Sequence, residues 1–287
     1  MKASTLILFS LTLATGLAAG AAQEGSFDKT LTVSGPVDLD VKTESGGITV
    51  TRGSSGSVQI HAILKAEHGW FGSDNGSDVE QRMQELEHHP PVEQNGNRVR
   101  AGYVQGRDLL KGISMRLEIQ TPSDTQLRAR AESGGIRVQG VRGPVDCKTE
   151  SGGIQIHDVA AEVHAMAESG GLHIGNIKGS VFARADSGGI EATEVAGEID
   201  AETQSGSIRI GQTTAAPIRA KAESGGVTVK LAPGSGYDVS AQTESGPIYV
   251  PEMTVSSAYS PHHIEGKVRG GGPLVKVHAE SGSVRID

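Results

Sequence analysis

A four-residue motif of the type Ser-Gly-Gly-Ile recurs in the second half of this chain at a constant step of eighteen residues. Its copies start at Ser133, Ser151, Ser169, Ser187 and Ser205. A repeat of this length is typical of a solenoid, in which each unit packs only against its neighbours along one axis. The repeat therefore limits the fold to a stack of similar coils.

Further copies of the motif continue the array, and one copy stands apart from it. The later copies start at Ser224, Ser245 and Ser281, with one degenerate turn before the last, and the early copy starts at Ser45. We expect neighbouring turns of the chain to lie directly on one another in sequence order. Equivalent apolar residues should then form one interior row, namely Ile136, Ile154, Leu172 and Ile190.

Within one unit, apolar residues alternate with polar ones and then change phase at the glycines. Val145, Cys147 and Thr149 share one parity, whereas Ile154 and Ile156 share the other. A period of two indicates a strand, so each unit is a strand, a corner and another strand. The sequence predicts an all-β fold, a single-stranded parallel β-helix (β-solenoid) with coils of about eighteen residues and a short helical and loop insertion near its N-terminal end.

The corner of each coil is predicted at its Ser-Gly-Gly segment. The chain must reverse its inward parity there within a few residues, which requires backbone angles that a Cβ atom disfavours. The predicted corner residues of the four most regular copies are Ser133, Gly134, Gly135, Ser151, Gly152, Gly153, Ser169, Gly170, Gly171, Ser187, Gly188 and Gly189.

Small apolar residues indicate a narrow, closely packed interior on one side of each coil. We expect Ala165, Ala167, Ala183 and Ala201 to form one inward column, which also holds the single cysteine, Cys147. A cysteine in such a column is expected to be a small buried apolar residue and not a reactive thiol.

The residue pattern divides the chain into a targeting segment and one domain. Residues 1–22 are predicted to be a signal peptide, because a positive start precedes a short apolar run and a small-residue cleavage site. Residues 23–287 are predicted to form the β-solenoid domain, with regular repeats over 113–287 and an insertion over 66–112. Within the insertion, a helix is expected at residues 78–88. We therefore expect an exported protein, periplasmic or at the cell surface, with no transmembrane segment after cleavage.

An acidic residue precedes most of the corner serines. If the coils stack in register, Glu132, Glu150, Glu168 and Asp186 form a column of like charges about one strand spacing apart. We expect each carboxylate to accept hydrogen bonds from the backbone N–H groups of its own corner, which would offset the repulsion. The alternative is a ladder of cations such as Ca²⁺ on these oxygen ligands. The sequence indicates no other metal site, no cofactor and no catalytic residue.

Charge and motif content exclude several function classes. The net charge of -8 and a pI near 5.7 argue against general nucleic-acid binding, which needs a positive surface. A serine hydrolase is not indicated, because none of the corner serines stands in Gly-x-Ser-x-Gly. A β-helix enzyme acting on polysaccharides would need clustered carboxylates, and Glu191, Glu194 and Glu198 are more typical of solubilising charges.

Taken together, these features resemble a known bacterial family. The early Ser45 corner, the inserted segment, the strand end at Gln120-Thr121-Pro122 and the repeated Glu-Ser-Gly-Gly-Ile-x-Val units are similar to the "putative adhesin" family of β-helix proteins, also described as toast-rack repeats. The resemblance covers about residues 28–287. It implies a β-helix and an envelope location, and it transfers no catalytic residue.

The function implied by this resemblance is a non-catalytic, exported binding scaffold of the cell envelope or surface. Its expected partner is a glycan or another envelope protein. Two alternatives stay open at this point, namely a polysaccharide-acting β-helix enzyme and a regulatory partner in an envelope-stress response.

Overall fold

Two β-sheets lie on either side of one apolar core, and the chain alternates between them as it coils. The computed structural model describes residues 24–67, 76–104, 106 and 108–287, so the predicted signal peptide lies outside the described residues. Sheet A has 12 strands and sheet B has 13. Each regular coil contributes one strand to each sheet, and the Ser-Gly corner joins the two strands.

The first part of the chain builds one end of both sheets. Its elements are β1 (Glu24–Thr32), β2 (Val37–Ser45), β3 (Ile48–Arg52), β4 (Ser57–Ala66), α1 (Gly76–His88), β5 (Val92–Asn95), β6 (Arg98–Ala101) and β7 (Ile113–Thr121). In sheet A, β4 pairs antiparallel with both β1 and β7, and β7 pairs in parallel with β3. In sheet B, the antiparallel hairpin β5–β6 extends the sheet beyond β2.

Helix α1 lies against β1 at this end of the molecule. Met83 and Leu86 are buried on its inner side, as their three-residue spacing predicts for one helical face. The Glu87 carboxylate accepts a hydrogen bond from the backbone N–H of Ser26 at 2.9 Å. Part of the outer edge of sheet A is thereby covered, which lowers its tendency to pair with another strand.

The central part of the chain is the regular array. Its strands are β8 (Thr125–Ser133), β9 (Ile136–Gln139), β10 (Val145–Ser151), β11 (Ile154–Val159), β12 (Val163–Ser169), β13 (Leu172–Ile177), β14 (Val181–Ser187), β15 (Ile190–Val195), β16 (Ile199–Ser205), β17 (Ile208–Gln212), β18 (Ile218–Ser224) and β19 (Val227–Lys230). Even-numbered strands lie in sheet B and odd-numbered strands in sheet A, each parallel to its equivalent one coil away. Successive register partners in sheet A are Ile136, Ile154, Leu172 and Ile190, all buried. The predicted β-solenoid is confirmed.

The early corner joins this array directly. Strand β2 pairs in parallel with β8 and β3 pairs in parallel with β9, so that Ser45 is the register partner of Ser133. The copy that stands apart in sequence is therefore the adjacent coil in space. The segment between them leaves the array, adds strands to the end of both sheets and returns at β8.

The last part of the chain departs from sequential stacking. Its strands are β20 (Tyr237–Ser245), β21 (Ile248–Tyr249), β22 (Met253–Ser260), β23 (His263–Val268), β24 (Leu274–Ser281) and β25 (Val284–Ile286). The final coil, β24 with β25, lies between the coil β18–β19 and the coil β20–β21. Ser281 is consequently the register partner of both Ser224 and Ser245.

The expectation that the coils stack in sequence order is wrong for this end. The coils that begin at β18, β20 and β24 share a Ser-Gly corner and an alternation of buried residues, so their edges are similar enough to pair in more than one order. The hairpin β22–β23 pairs antiparallel with one edge of β20. That pairing leaves the other edge of β20 to the final coil.

The small inward residues of sheet B lie in two neighbouring rows and not in one column. The first row runs through Cys147, Ala165, Ala183 and Ala201. Ala167 lies in the second row, as the register partner of Thr149. The predicted single column is therefore wrong for Ala167, because residues two apart on a strand face the same side but stack on different partners. All of these side chains are buried.

The two glycines of a corner have different roles. An added Cβ at Gly152 would lie 2.3 Å from the carbonyl oxygen of Gly134 in the preceding coil, whereas one at Gly153 would lie 3.3 Å from the carbonyl oxygen of Gly171. The first glycine also has a left-handed backbone, with φ of +143° at Gly134, +149° at Gly152 and Gly170, and +153° at Gly188. Only the first position therefore requires glycine on both grounds.

Candidate interaction surface

The acidic residues that precede the corners form an exposed row on the outer face of sheet B. Their sequence neighbours Thr149 and Ser151 are in register with Ala167 and Ser169, which places Glu150 beside Glu168. The side chains of the predicted members are all exposed, namely Glu132, Glu150, Glu168 and Asp186. The structure thus brings these four residues together in one line, next to the corner serines.

Lysine side chains from neighbouring coils lie against this row. Lys42 Nζ is 3.1 Å from Glu132 Oε1, and Lys148 Nζ is 3.7 Å from Glu168 Oε1. Each of these lysines belongs to the coil next to that of the carboxylate it contacts. The opposite charges offset the repulsion along the row, and because the pairs are exposed each contributes only about 0–1 kcal/mol.

The corner N–H groups have other acceptors than the acidic row. The Gly134 N–H donates to the Ser151 carbonyl oxygen at 2.8 Å, and the Ile136 N–H donates to the Gly153 carbonyl oxygen at 3.0 Å. The expectation that each carboxylate accepts hydrogen bonds from its own corner is wrong for these donors. They are used in the backbone ladder to the next coil, which leaves buried donors satisfied along the whole stack.

The described chain contains neither a convergent metal site nor a membrane-spanning helix. Within the residues that the structure describes, no group of three or more His, Cys, Asp or Glu side chains is placed to hold a metal ion. No helix among them is long and apolar enough to cross a membrane.

Cys147 is a buried free thiol, and burial, together with the nearby Asp146 charge, raises the pKa of that thiol. A thiol with a raised pKa stays protonated and is a poor nucleophile.

A groove of about 550 Å³ crosses several coils on the outer face of sheet A, beside the corners. Its floor consists of the second corner residues, whose side chains are small or absent, namely Gly171, Gly189, Ser207, Gly226 and Ser283. One wall carries His173, Glu191, Arg209 and Thr228. We call this feature the sheet A groove. It exists because the second corner residue is glycine or serine in each of these five coils.

The wall of the sheet A groove is held together by charge pairs between coils. Glu191 Oε2 lies 3.3 Å from His173 Nδ1, and Glu191 Oε1 lies 3.6 Å from an Arg209 guanidinium nitrogen. The three residues are successive register partners on β13, β15 and β17. The side chain of Arg209 is 67% exposed, so its guanidinium keeps donors available to a ligand.

A second cavity of about 580 Å³ adjoins the groove and shares Arg209 and Thr228 with it. Its lining combines the apolar residues Ile210, Leu231 and Pro233 with the basic residues Lys230 and Arg269. We call it the adjoining cleft. An apolar surface with a few convergent polar groups is the usual composition of a small-molecule or sugar site. Single-strand periodicity could not indicate this cleft, because its residues come from separate coils and from the turn after β19.

Sheet B carries a different exposed feature near its middle. The rings of His164 and Phe182 stack with centroids 4.7 Å apart and an interplanar angle of 13°. Met166, on the same strand as His164, is 47% exposed. The signal for this pair was present in the sequence, since His164 and Phe182 are one repeat apart, but only the observed register shows that they touch.

The three acidic residues considered for a polysaccharide-acting enzyme are separated in the structure. Glu191 lines the sheet A groove. Glu194 lies three residues further along β15 and has a left-handed backbone, φ +56°. Glu198 precedes β16, and its carbonyl oxygen accepts the N–H of Val181 at 2.8 Å in the adjacent coil. Among the described residues that line the groove, Glu191 is the one acid.

Two solved structures and one family model are similar to this chain. A crystal structure from Bacteroides fragilis, described as a "putative adhesin", is 14% identical, and the alignment covers 92% of this chain and 97% of that one with a TM-score of 0.48. A second, from Clostridium sporogenes and described as a "putative cell adhesion protein", is 12% identical, with coverage of 91% and 99% and a TM-score of 0.24. No curated protein matches the chain. The family model for Toastrack DUF4097 matches residues 39–287, which include the early corner and the entire array, and the chain therefore belongs to the Toastrack DUF4097 family.

Proposed function

We propose that this chain is an exported, non-catalytic protein of the cell envelope that binds a glycan along the sheet A groove and the adjoining cleft. The observation that carries the proposal is the groove itself, which continues across five coils with a constant floor of small residues. At about 4.8 Å between neighbouring strands, its floor extends for roughly 20 Å. An extended polymer fits such a surface better than a compact ligand does.

The chemistry of the walls supports a sugar polymer. Arg209, Lys230 and Thr228 offer donors to hydroxyl or carboxylate oxygens, while the exposed Pro233 offers an apolar surface to sugar C–H groups. Two cationic side chains at this position favour a glycan that carries acidic sugars.

The arrangement of acids supports binding and not hydrolysis. Glycoside hydrolysis generally uses two carboxylates on either side of the scissile bond. Glu191 in the groove is paired with His173 and Arg209, and Asp287 in the cleft contacts Arg285, with Asp287 Oδ2 2.5 Å from Arg285 Nε. Among the described lining residues, Glu191 is the one acid of the groove and Asp287 is the one acid of the cleft.

Export is part of the same proposal. The N-terminal sequence pattern supports it, as does the envelope role that the family resemblance implies. A fusion of residues 1–22 to a reporter enzyme that is active only outside the cytoplasm should give activity, and a fusion that starts at residue 23 should not.

Binding is tested with the chain that starts at residue 23 on an array of neutral and uronate-containing oligosaccharides. We expect retention of uronate-containing chains, weakened at least tenfold by Arg209→Ala, since a lost hydrogen bond to a charged group costs roughly 1.5–3 kcal/mol. Lys148→Ala, on the outer face of sheet B, is the matched control and should bind normally. Absence of binding to every glycan, or equal loss in both variants, would refute the proposed site.

A protein partner is the second candidate, and the stack of the exposed His164 on the half-buried Phe182, with the exposed Met166 nearby, favours it. Exposed aromatic and methionine side chains are enriched at protein interfaces. Envelope extract passed over the immobilised chain should then yield one partner that Phe182→Ala releases and Arg209→Ala does not.

A further inference from the structure

The final coil of the chain occupies a slot between two coils that precede it in sequence. Strand β24 pairs in parallel with β18 on one side and with β20 on the other, and β25 pairs with β19 and β21. Backbone hydrogen bonds cross both borders, with the Gly225 N–H on the Ser281 carbonyl oxygen at 2.9 Å and the Gly282 N–H on the Ser245 carbonyl oxygen at 3.0 Å. The slot is thus filled by a strand paired on both edges.

The two sides of the slot match each other as well as they match the final coil. Val277 faces Ala220 on one side and Ala241 on the other, and Ser281 faces Ser224 and Ser245. The recognition elements are a small inward residue and a Ser-Gly corner, and every coil of this chain carries them. Any strand with this pattern that reaches the open slot can therefore pair in register.

The final coil follows a short glycine-rich turn. The turn Arg269–Pro273 connects it to β23 and contains three glycines in a row. Gly270 and Gly271 have φ values of +90° and +91°, and Arg269 is a non-glycine residue with φ +49°. Opening a short turn releases the strain of a residue held in a disfavoured backbone conformation. Such turns are typical hinges of segments that are exchanged between copies.

The order of synthesis opens the slot to a competitor. Strands β18 to β21 leave the ribosome before residues 274–287, so the edges of the slot exist before their own filler does. We propose that the final coil, residues 274–287, is exchanged between two copies of this chain, so that each copy fills the slot of the other. The contacts in each slot are the same in the monomer and in the exchanged dimer. The balance between them then depends on protein concentration and on the turn at 269–273.

The test uses two variants of the chain, each with one added cysteine. Arg219 and Lys276 are register partners on the outer face of sheet B, and both side chains are exposed. Copies with Arg219→Cys and copies with Lys276→Cys are mixed, unfolded, refolded together and oxidised. Exchange predicts a covalent dimer whose yield rises with protein concentration and whose linking peptide joins positions 219 and 276.

A matched mixture controls for random collisions. Lys148 is also exposed on the outer face of sheet B but lies several coils away from Arg219. Copies with Lys148→Cys mixed with Arg219→Cys copies should give at least fivefold less dimer. Equal dimer yields in the two mixtures overturn the proposal.

A double variant with both cysteines on one chain separates the remaining outcomes. At low concentration it should form the 219–276 disulfide within one chain. If it does so and the mixture of single variants gives no linked dimer, the final coil stays with its own chain and exchange is refuted. If no disulfide forms in either case, the final coil does not occupy the slot and the proposal fails for that reason.

Discussion

Gly152 lies so close to Gly134, the equivalent residue one coil earlier, that a Cβ on Gly152 would be 2.3 Å from the Gly134 carbonyl oxygen. The same relation repeats along the stack, with 2.0 Å for Gly170 against Gly152 and 2.2 Å for Gly188 against Gly170. The first glycine of the motif is therefore fixed by the neighbouring coil as well as by its own backbone angle. This contact explains why glycine recurs at the first corner position of each repeat, where neighbouring coils approach this closely.

The two glycines of one corner should differ in their response to alanine. We expect Gly152→Ala to lower the free energy of unfolding by about 2 kcal/mol or more, because it combines a left-handed φ with a clash against backbone. Gly153→Ala should cost about 1 kcal/mol or less, since its Cβ would have 3.3 Å to the nearest atom. Urea unfolding of the two variants measures both values. Equal losses would contradict the assignment of distinct roles.

Buried threonines should stabilise the corners through their hydroxyl groups. Thr149 Oγ1 donates to the Gly134 carbonyl oxygen at 3.0 Å, and Thr203 makes the same bond to Gly188 at 2.9 Å. We expect Thr149→Val to lower the free energy of unfolding by roughly 1–3 kcal/mol, because the partly buried Gly134 carbonyl loses its donor. Thr149→Ser keeps the hydroxyl and should lose less. A valine variant as stable as the serine variant would show that this hydrogen bond contributes nothing.

Asp158 should make stability depend on pH at the acidic end. Its side chain accepts hydrogen bonds from Asn176 at 2.7 Å and Gln139 at 3.2 Å, in the two flanking coils. These bonds, that of Asn176 first, hold the pKa of the Asp158 carboxyl below its ordinary value. Because the folded-state pKa is lowered, the ionised Asp158 carboxylate stabilises the folded chain at pH values above the unfolded-state pKa of about 3.9. This contribution to stability is lost as the pH falls through the folded-state pKa.

The Asn176→Gly variant tests this pH dependence, since glycine keeps the left-handed backbone at φ +53° and removes the amide. Carboxyl carbon NMR should show the pKa of Asp158 moving up towards its ordinary value. The stability difference between wild type and variant should shrink as the solution is acidified. An unchanged Asp158 titration would contradict the assigned cause.

Cys147 should behave as a buried apolar residue. Its thiol is 0% exposed and its pKa is raised by burial and by the Asp146 charge, so Ellman's reagent should react only after unfolding. Cys147→Ala should change the free energy of unfolding by about 1 kcal/mol or less, because alanine fills the equivalent positions Ala129 and Ala165. Rapid labelling of the folded chain would contradict this placement.

The repeat made the coils, corners and interior rows predictable because each depends on residues within one unit or at a constant step. The motif and its alternating apolar residues specify the strand, the corner and the side chains that face inward. The left-handed residues Asp158, Asn176 and Glu194 also follow the eighteen-residue step. They were missed, although an Asn or Asp at a repeated position is typical of that backbone conformation.

The position of the final coil could not be predicted from the motif. Corners that share Ser-Gly can pair in several orders, so the motif at Ser224, Ser245 and Ser281 does not distinguish them. The choice depends on the hairpin β22–β23, which occupies one edge of β20. The candidate site was missed for a similar reason, because Arg209 and Lys230 meet only through the pairing of separate coils.

The central structural claim is that coils stack through their Ser-Gly corners with the final coil in the slot. The most direct measurement compares two double-cysteine chains by peptide mapping after mild oxidation. Ser224→Cys with Ser281→Cys should form a disulfide, because these residues are register partners. Ser224→Cys with Ser245→Cys should not, because the final coil separates them. A disulfide in the second chain and none in the first would contradict the account, since the coils would then follow the order of the sequence.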